Sequence, residues 1–150
     1  SEAPRRALGW RPMNRSELLG FLRRHRYAVQ ASTTEAGAPQ AAVIGVAVTD
    51  ALELVFDTLG TSRKAQNLRR DARIALVVGW DEEQTVQLEG VADEPVGEEL
   101  KSVKATYFAR FPDGPEREAW PDIAYFRVRV TWARYSDFRP GGGVVDVELG

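Results

Sequence analysis

The chain has 150 residues, with 20 Lys and Arg against 22 Asp and Glu, 43% hydrophobic and 28% charged residues. That is the make-up of one ordinary globular domain, and its near-neutral balance argues against nucleic acid or an anionic membrane as partner. No cysteine and one histidine, His25, rule out disulfides, thiolate nucleophiles and Cys- or His-rich metal sites, so redox chemistry would fall to a bound cofactor.

No stretch reaches about 20 apolar residues, and no apolar run follows the charged start, so the reading is a cytoplasmic protein with no membrane span or signal peptide. Residues 1–13, with Pro4 and Pro12, read as an arm. Residues 14–26 read as a helix, with Leu18, Leu19 and Leu22 near one face and Asn14 or Ser16 as cap. The basic run from Arg23 to Arg26, His25 included, reads as its solvated end. Residues 27–34 are strand-like and 35–39 a turn. Residues 40–49 and 52–58 read as a hairpin turning at Thr49, Asp50 and Ala51.

Leu59 and Gly60 break that strand, and 61–70 form a short helix. Residues 74–80 are a continuous apolar strand. Residues 85–92 alternate, with Val86, Leu88 and Gly90 inward. Residues 96–111 read as a helix behind Pro95. The run 112–115 is a break. Residues 124–135 alternate as a strand, with Phe126, Val128, Val130 and Trp132 on one face. The tail 139–150 holds Gly141, Gly142 and Gly143 and reads as mobile, with 144–149 available as an edge strand. Six strands and three helices, mostly as consecutive hairpins, predict one domain of mainly β class: a six-stranded antiparallel split β-barrel (Greek key) with short flanking helices.

The chemistry concentrates between Phe56 and Leu68. A strand ends at Asp57 and Thr58, glycine turns the chain, and a helix starts near Thr61 or Ser62. Arg63 and Lys64 then fall in its first turn, facing the positive end of the macrodipole. Natural sequences break such local rules mainly at functional sites. Free amides, a hydroxyl, a guanidinium and an ammonium together suit an anion such as phosphate. A solvated basic turn paired with Asp57 or Asp71 is the alternative. The spacings of a Walker loop and of a dinucleotide-binding glycine fingerprint are absent.

Several segments resemble the pyridoxamine 5'-phosphate oxidase family of FMN-binding split barrels. The Ser62, Arg63, Lys64 core is similar to the family's phosphate motif, and residues 54–58 to the strand leading into it. Residues 72–78 and 85–90 resemble the two strands that follow, while Tyr107, Phe108 and the run 125–128 also fit. The resemblance spans about residues 15–138. It implies FMN as cofactor, with the phosphate on Thr58, Ser62, Arg63 and Lys64 and with Asp57 beside them. It implies that the ring lies along 41–46, bonded by the main chain at Ala42, Val43 and Ile44, with small Ala41, Ala42 and Gly45 allowing close approach. Thr85 stands where the family has a flavin-contacting glutamine. A homodimer with the flavin at the interface is implied, with Tyr107, Trp120 and Trp132 as candidates to line its far side.

Departures from the family bear on the reaction. Its oxidases carry a lysine at Val46, an arginine at Phe111 (Arg110 is adjacent) and a C-terminal Arg-x-His motif that is missing here. The reading is therefore an FMN-dependent oxidoreductase, not a pyridoxine phosphate oxidase. The alternatives are a flavin-binding or stress-response module without turnover and a deazaflavin-dependent reductase. Relatives that bind haem fit less well, because His25 is the sole imidazole.

Overall fold

The computed structural model describes residues 12–150, so the expected arm lies outside the described residues except for Pro12 and Met13. Helix α1 (Arg15–Arg23) starts at a capping box: Glu17 N–H donates to Asn14 Oδ1 at 2.8 Å, and Asn14 N–H donates to Glu17 Oε1 at 3.1 Å. It buries Leu18, Phe21 and Leu22. It stops three residues earlier than expected, because the Arg24 and His25 amides turn back onto Phe21 and Leu22 carbonyls. His25 thus lies past the helix end.

The strands are β1 (Tyr27–Thr33), β2 (Pro39–Gly45), β3 (Ala47–Val48), β4 (Glu53–Leu59), β5 (Arg73–Val78), β6 (Gln84–Asp93), β7 (Ile123–Asp137) and β8 (Val144–Asp146). All pairings are antiparallel, in the order β2-β1-β5-β6-β7-β4-β3, with β8 added along β7. Only Val46 separates β2 from β3, so one extended segment supplies both ends of that order. The sheet curls round until this segment meets itself. Counted as one strand, β2 and β3 give the expected six-stranded barrel, with β8 as an extra edge. The closure is incomplete: β3 pairs with β4, whereas β2 pairs only with β1. The barrel is split along the unpaired side of β2.

Helix α2 (Arg63–Arg70) follows β4 and packs against β1. Helix α3 (Gly97–Arg110) buries Val103 and Tyr107. A one-turn helix, α4 (Gly114–Arg117), occupies the segment expected to be only a break, with Pro115 in its first turn.

Three expectations are corrected. Strand β5 alternates after all: Ile74, Leu76 and Val78 are buried while Arg73, Ala75 and Val77 face out. It read as continuous because its outer face is also apolar. Strand β7 changes phase. Glu89 pairs with Trp132 but Gly90 with Val130, leaving Thr131 as an extra residue. Inward positions therefore run Phe126, Val128, then Ala133 and Tyr135, and Trp132 turns outward to donate to Asp146. The tail is ordered. Val145 and Val147 are buried, and Gly142 sits so close to the Asp137 carbonyl that a Cβ would collide.

Gly90 explains itself at the bulge: a Cβ there would strike the Arg129 backbone carbonyl and come within 2.7 Å of Val128 Cγ1. Gly90→Ala is expected to cost about 1–3 kcal/mol in a urea unfolding curve, since a backbone neighbour cannot yield as a side chain can.

Candidate functional site

On β1, Ala28, Gln30 and Ser32 face inward, directly opposite Ile44, Ala42 and Gln40 of β2. Directly paired residues share a face. Ala28 and Ile44 continue the core, but Gln30, Ser32 and Gln40 make the next stretch polar. Helix α2 covers this stretch at the split, and between them lies a cavity of about 460 Å³ lined by Gln30, Ser32, Gln40, Ala41, Ala42, Arg63, Lys64 and Asn67.

Ser62 caps α2. Its Oγ accepts from Ala65 N–H at 3.2 Å and from the Thr58 hydroxyl at 3.0 Å, which leaves its own proton to donate. Thr58 thus orients Ser62. The first turn of α2 carries no acidic residue. Among the described residues, neither Arg63 nor Lys64 has a carboxylate within ion-pair distance, while Arg69, Arg117 and Arg127 pair with Glu94, Asp57 and Asp93. Asn67 Nδ2 donates to Ser32 Oγ at 3.1 Å and to Gln40 Oε1 at 2.8 Å. In its other amide orientation the Gln40 carbonyl turns to the helix N-terminus and accepts from Arg63 Nε at 2.9 Å. Gln30 is 2% exposed, and its Oε1 is buried without a partner. The cavity therefore offers two cations, with a free hydroxyl proton beside it.

The sequence-predicted residues divide. Arg63, Lys64 and Ala42 line the cavity, with Ser62 and Thr58 behind the two cations. Val43 lies on the opposite face and is 62% exposed, and Ile44 is buried in the core. Only their backbone, on the unpaired side of β2, is available there. Gly45 is small because the Phe111 ring sits over it, 2.9 Å from where a Cβ would be, so its smallness answers Phe111. Thr85 lies at the start of β6, off the cavity, with a buried Oγ1 that has no partner. Tyr107 is a core residue, Trp132 packs beside Arg134, and Trp120 is exposed. Gln30, Ser32, Gln40 and Asn67 were missed. The signal was Gln30 and Ser32 in phase with Ala28 along an alternating strand.

Asp57 points away from the cavity. Its carboxylate accepts from Arg117 Nε at 2.8 Å and from the Tyr107 hydroxyl at 3.0 Å. Asp57 holds the Arg117 guanidinium above its ordinary range. Burial first, and then the Asp57 charge, push the Tyr107 hydroxyl up. The pair locks β4 to α4 next to Thr58. Their side chains are only 11% and 18% exposed, so Asp57→Ala removes the buried partner of Arg117 and leaves it only the exposed Asp113, at 3.0 Å. The expected loss is about 1–2 kcal/mol by urea unfolding, well below that of a fully buried pair left without any partner.

The family model described as pyridoxamine 5'-phosphate oxidase matches residues 15–137. No curated protein matches the sequence. Among solved structures, the chain is similar to a heme binding protein from Mycobacterium smegmatis at 19% identity and TM-score 0.77, covering 91% of this chain. It spans only 59% of that protein's length. It is similar to the conserved hypothetical protein Rv2991 from Mycobacterium tuberculosis at 25% identity and TM-score 0.72, covering 85% of this chain and 86% of that one. An F420 reductase matches at 19% identity and TM-score 0.61, covering 76% and 93%.

Proposed function

The chain belongs to the pyridoxamine 5'-phosphate oxidase family, and on that premise we propose that it binds FMN in the cavity beneath α2. The observation that carries this reading is the pair of cations, Arg63 and Lys64, with no counter-ion among the described residues, in the first turn of a Ser62-capped helix at the split of the barrel. Anions are stabilised at such a terminus by the amides, the dipole and the two charges together. Arg63 and Lys64 hold the phosphate, and Ser62, oriented by Thr58, donates to it. Ala42 leaves room for a flat ring, whose polar edge meets the unpaired main chain of β2 at Val43 and Ile44. Bound there, FMN supplies hydride and electron transfer, while the protein supplies position and charge.

Val46 is 1% exposed and Phe111 stacks on Tyr107, so neither residue presents a charge to a substrate phosphate. The reading is an oxidoreductase acting on something other than pyridoxine phosphate. A deazaflavin is the second reading, favoured by the same cradle, because it too carries a phosphate-bearing polyol chain. Haem held by histidine is disfavoured by position: His25 lines a separate cavity with Leu22, Val46 and Ala109, its ring 4.8 Å from Phe21.

Purified protein is expected to be yellow or to become so with added FMN, and a protein that takes up no flavin overturns the reading. Arg63→Ala and Lys64→Ala are each expected to weaken FMN about 10- to 100-fold with little change in unfolding, as charge-assisted bonds of this kind suggest. Unchanged affinity in both would place the phosphate elsewhere. Parallel titration with a deazaflavin ranks the two cofactors, and anaerobic reduction by NADH or NADPH separates an enzyme from a module without turnover.

The same reading includes a homodimer. Across β2, β1 and β5 the outer face carries Val43, Val29 and Val77 in one paired row, beside Ala41, Ala31 and Ala75 in the next. Tyr27 and Trp80 are exposed nearby. A continuous apolar face of this kind suits a second copy. Val43→Lys is expected to shift sedimentation from dimer to monomer.

A further inference from the structure

Gln30 is 2% exposed, yet it lines the cavity of Arg63 and Lys64. Its Oε1 is enclosed by the protein. The end of the amide left to face the cavity is Nε2, a donor with no hydrogen-bond partner among the described residues. The residue sits mid-strand, between Ala42 of β2 and Leu76 of β5. Its inward neighbour Ala28 is apolar, and Ala42 opposite it carries only a methyl group. An apolar residue would cost nothing in desolvation there, so the amide demands a reason. The Tyr125 hydroxyl and Thr85 Oγ1 also lack partners, but both are enclosed, so neither offers a polar atom to a ligand.

The groups turned to this cavity are of one kind. Arg63 and Lys64 donate and carry charge, Ser62 beside them has a free hydroxyl proton, and Gln30 Nε2 adds a neutral donor. Asn67 spends its Nδ2 on Ser32 and Gln40. Donors cannot satisfy one another, so they call for a group that only accepts. A terminal phosphate is such a group, and its three oxygens have lone pairs beyond those that two cations and one hydroxyl occupy. Resting on the FMN reading above, we propose that Gln30 is a specificity-determining residue of the phosphate site, whose Nε2 donates to a phosphate oxygen. The phosphate is then gripped from two elements, by charge from α2 and by a neutral amide from β1. The amide adds a hydrogen bond without adding a third cation to the cost of the empty site. It widens the preference for a phosphorylated flavin over the same flavin without phosphate.

The test measures FMN and riboflavin, which lacks the phosphate, on the same proteins, together with their stability without ligand. Gln30→Leu should weaken FMN about 5- to 50-fold, the range expected for one hydrogen bond to a charged group. Riboflavin should bind wild type and Gln30→Leu alike, so the preference for FMN falls by the same factor. Gln30→Glu replaces the donor by a negatively charged acceptor and should lose more FMN affinity than Gln30→Leu. Inorganic phosphate alone should raise the melting temperature of the wild type more than that of Gln30→Leu. Ligand-free Gln30→Leu should melt no lower than the wild type, because it removes an amide whose oxygen is buried unpaired. Gln30→Met, closer in shape, repeats the comparison should the leucine variant fail to fold. Wild-type protein that binds FMN, with the leucine and glutamate variants binding it within twofold of wild type, overturns the role of Gln30 and leaves the site reading standing. Equal losses for FMN and riboflavin place the amide against the chain or ring and overturn the proposal. A variant that binds weakly but is also destabilised without ligand marks a structural role and overturns it too. Absence of FMN binding in the wild type, together with silent Arg63→Ala and Lys64→Ala variants, overturns the site itself.

Discussion

Arg63 and Lys64 stand in the first turn of α2, where the helix dipole is positive and no acidic residue stands with them. Each cation costs some tenths of a kcal/mol there. The nearby acids are committed elsewhere. Asp57, one residue before Thr58, projects from the other face of β4 to Arg117 and Tyr107. Glu94 is taken by Arg69 through two bonds of 2.8 and 2.7 Å. Asp71, at the end of α2, is bound by Arg73, whose hydrogen bonds hold its carboxyl down to about 2. Among the described residues, the positive charge in the cavity is thus left standing while Asp57, Glu94 and Asp71 are satisfied by other arginines.

The space in front of those cations follows from barrel closure. One segment serves as both β2 and β3, and it turns away from β4 at Val46, where its N–H bonds to the Arg26 carbonyl. Beyond that point β2 has a partner on one side only, and α2, leaving the end of β4, falls into the gap. The two-residue period of β1 and β2 sorts what faces the gap from what faces out. Polar Gln30, Ser32 and Gln40 line the cavity, and Val29 and Val43 form the outer face. A one-residue slip in this pairing would exchange the two sets. Ligand pocket and candidate dimer surface are two faces of the same register.

Most elements were legible because their signals are local. Asn14 with Glu17, Ser62 before a basic turn, and the alternation of 85–92 need only their near neighbours. What was hidden depends on distant partners. The extra residue Thr131 in β7 exists only relative to β6, so the phase change that turns Trp132 outward leaves no mark in the sequence. Gly45 is fixed by Phe111, and Asp57 by Arg117, 60 residues away. The apolar outer face of β5 erased an alternation that is real, since Ala75 and Val77 look like core in one dimension. For the site, the Ser62, Arg63, Lys64 motif could be read directly. The amide floor required knowing that 27–33 pairs with 39–45 and under which helix.

Two local conflicts therefore meet at one space of about 460 Å³. Cations face a positive helix end, and the buried Gln30 Oε1 has no donor. Each costs stability, the orphaned acceptor alone about 1–3 kcal/mol. Packing gives no return for them, because the polar positions adjoin a core that continues with Ala28 and Ile44. A ligand that brings an anion relieves the first. Strain that a single molecule could relieve is what separates this cavity from the one beside Tyr125, where Arg69 and Glu94 have already neutralised each other.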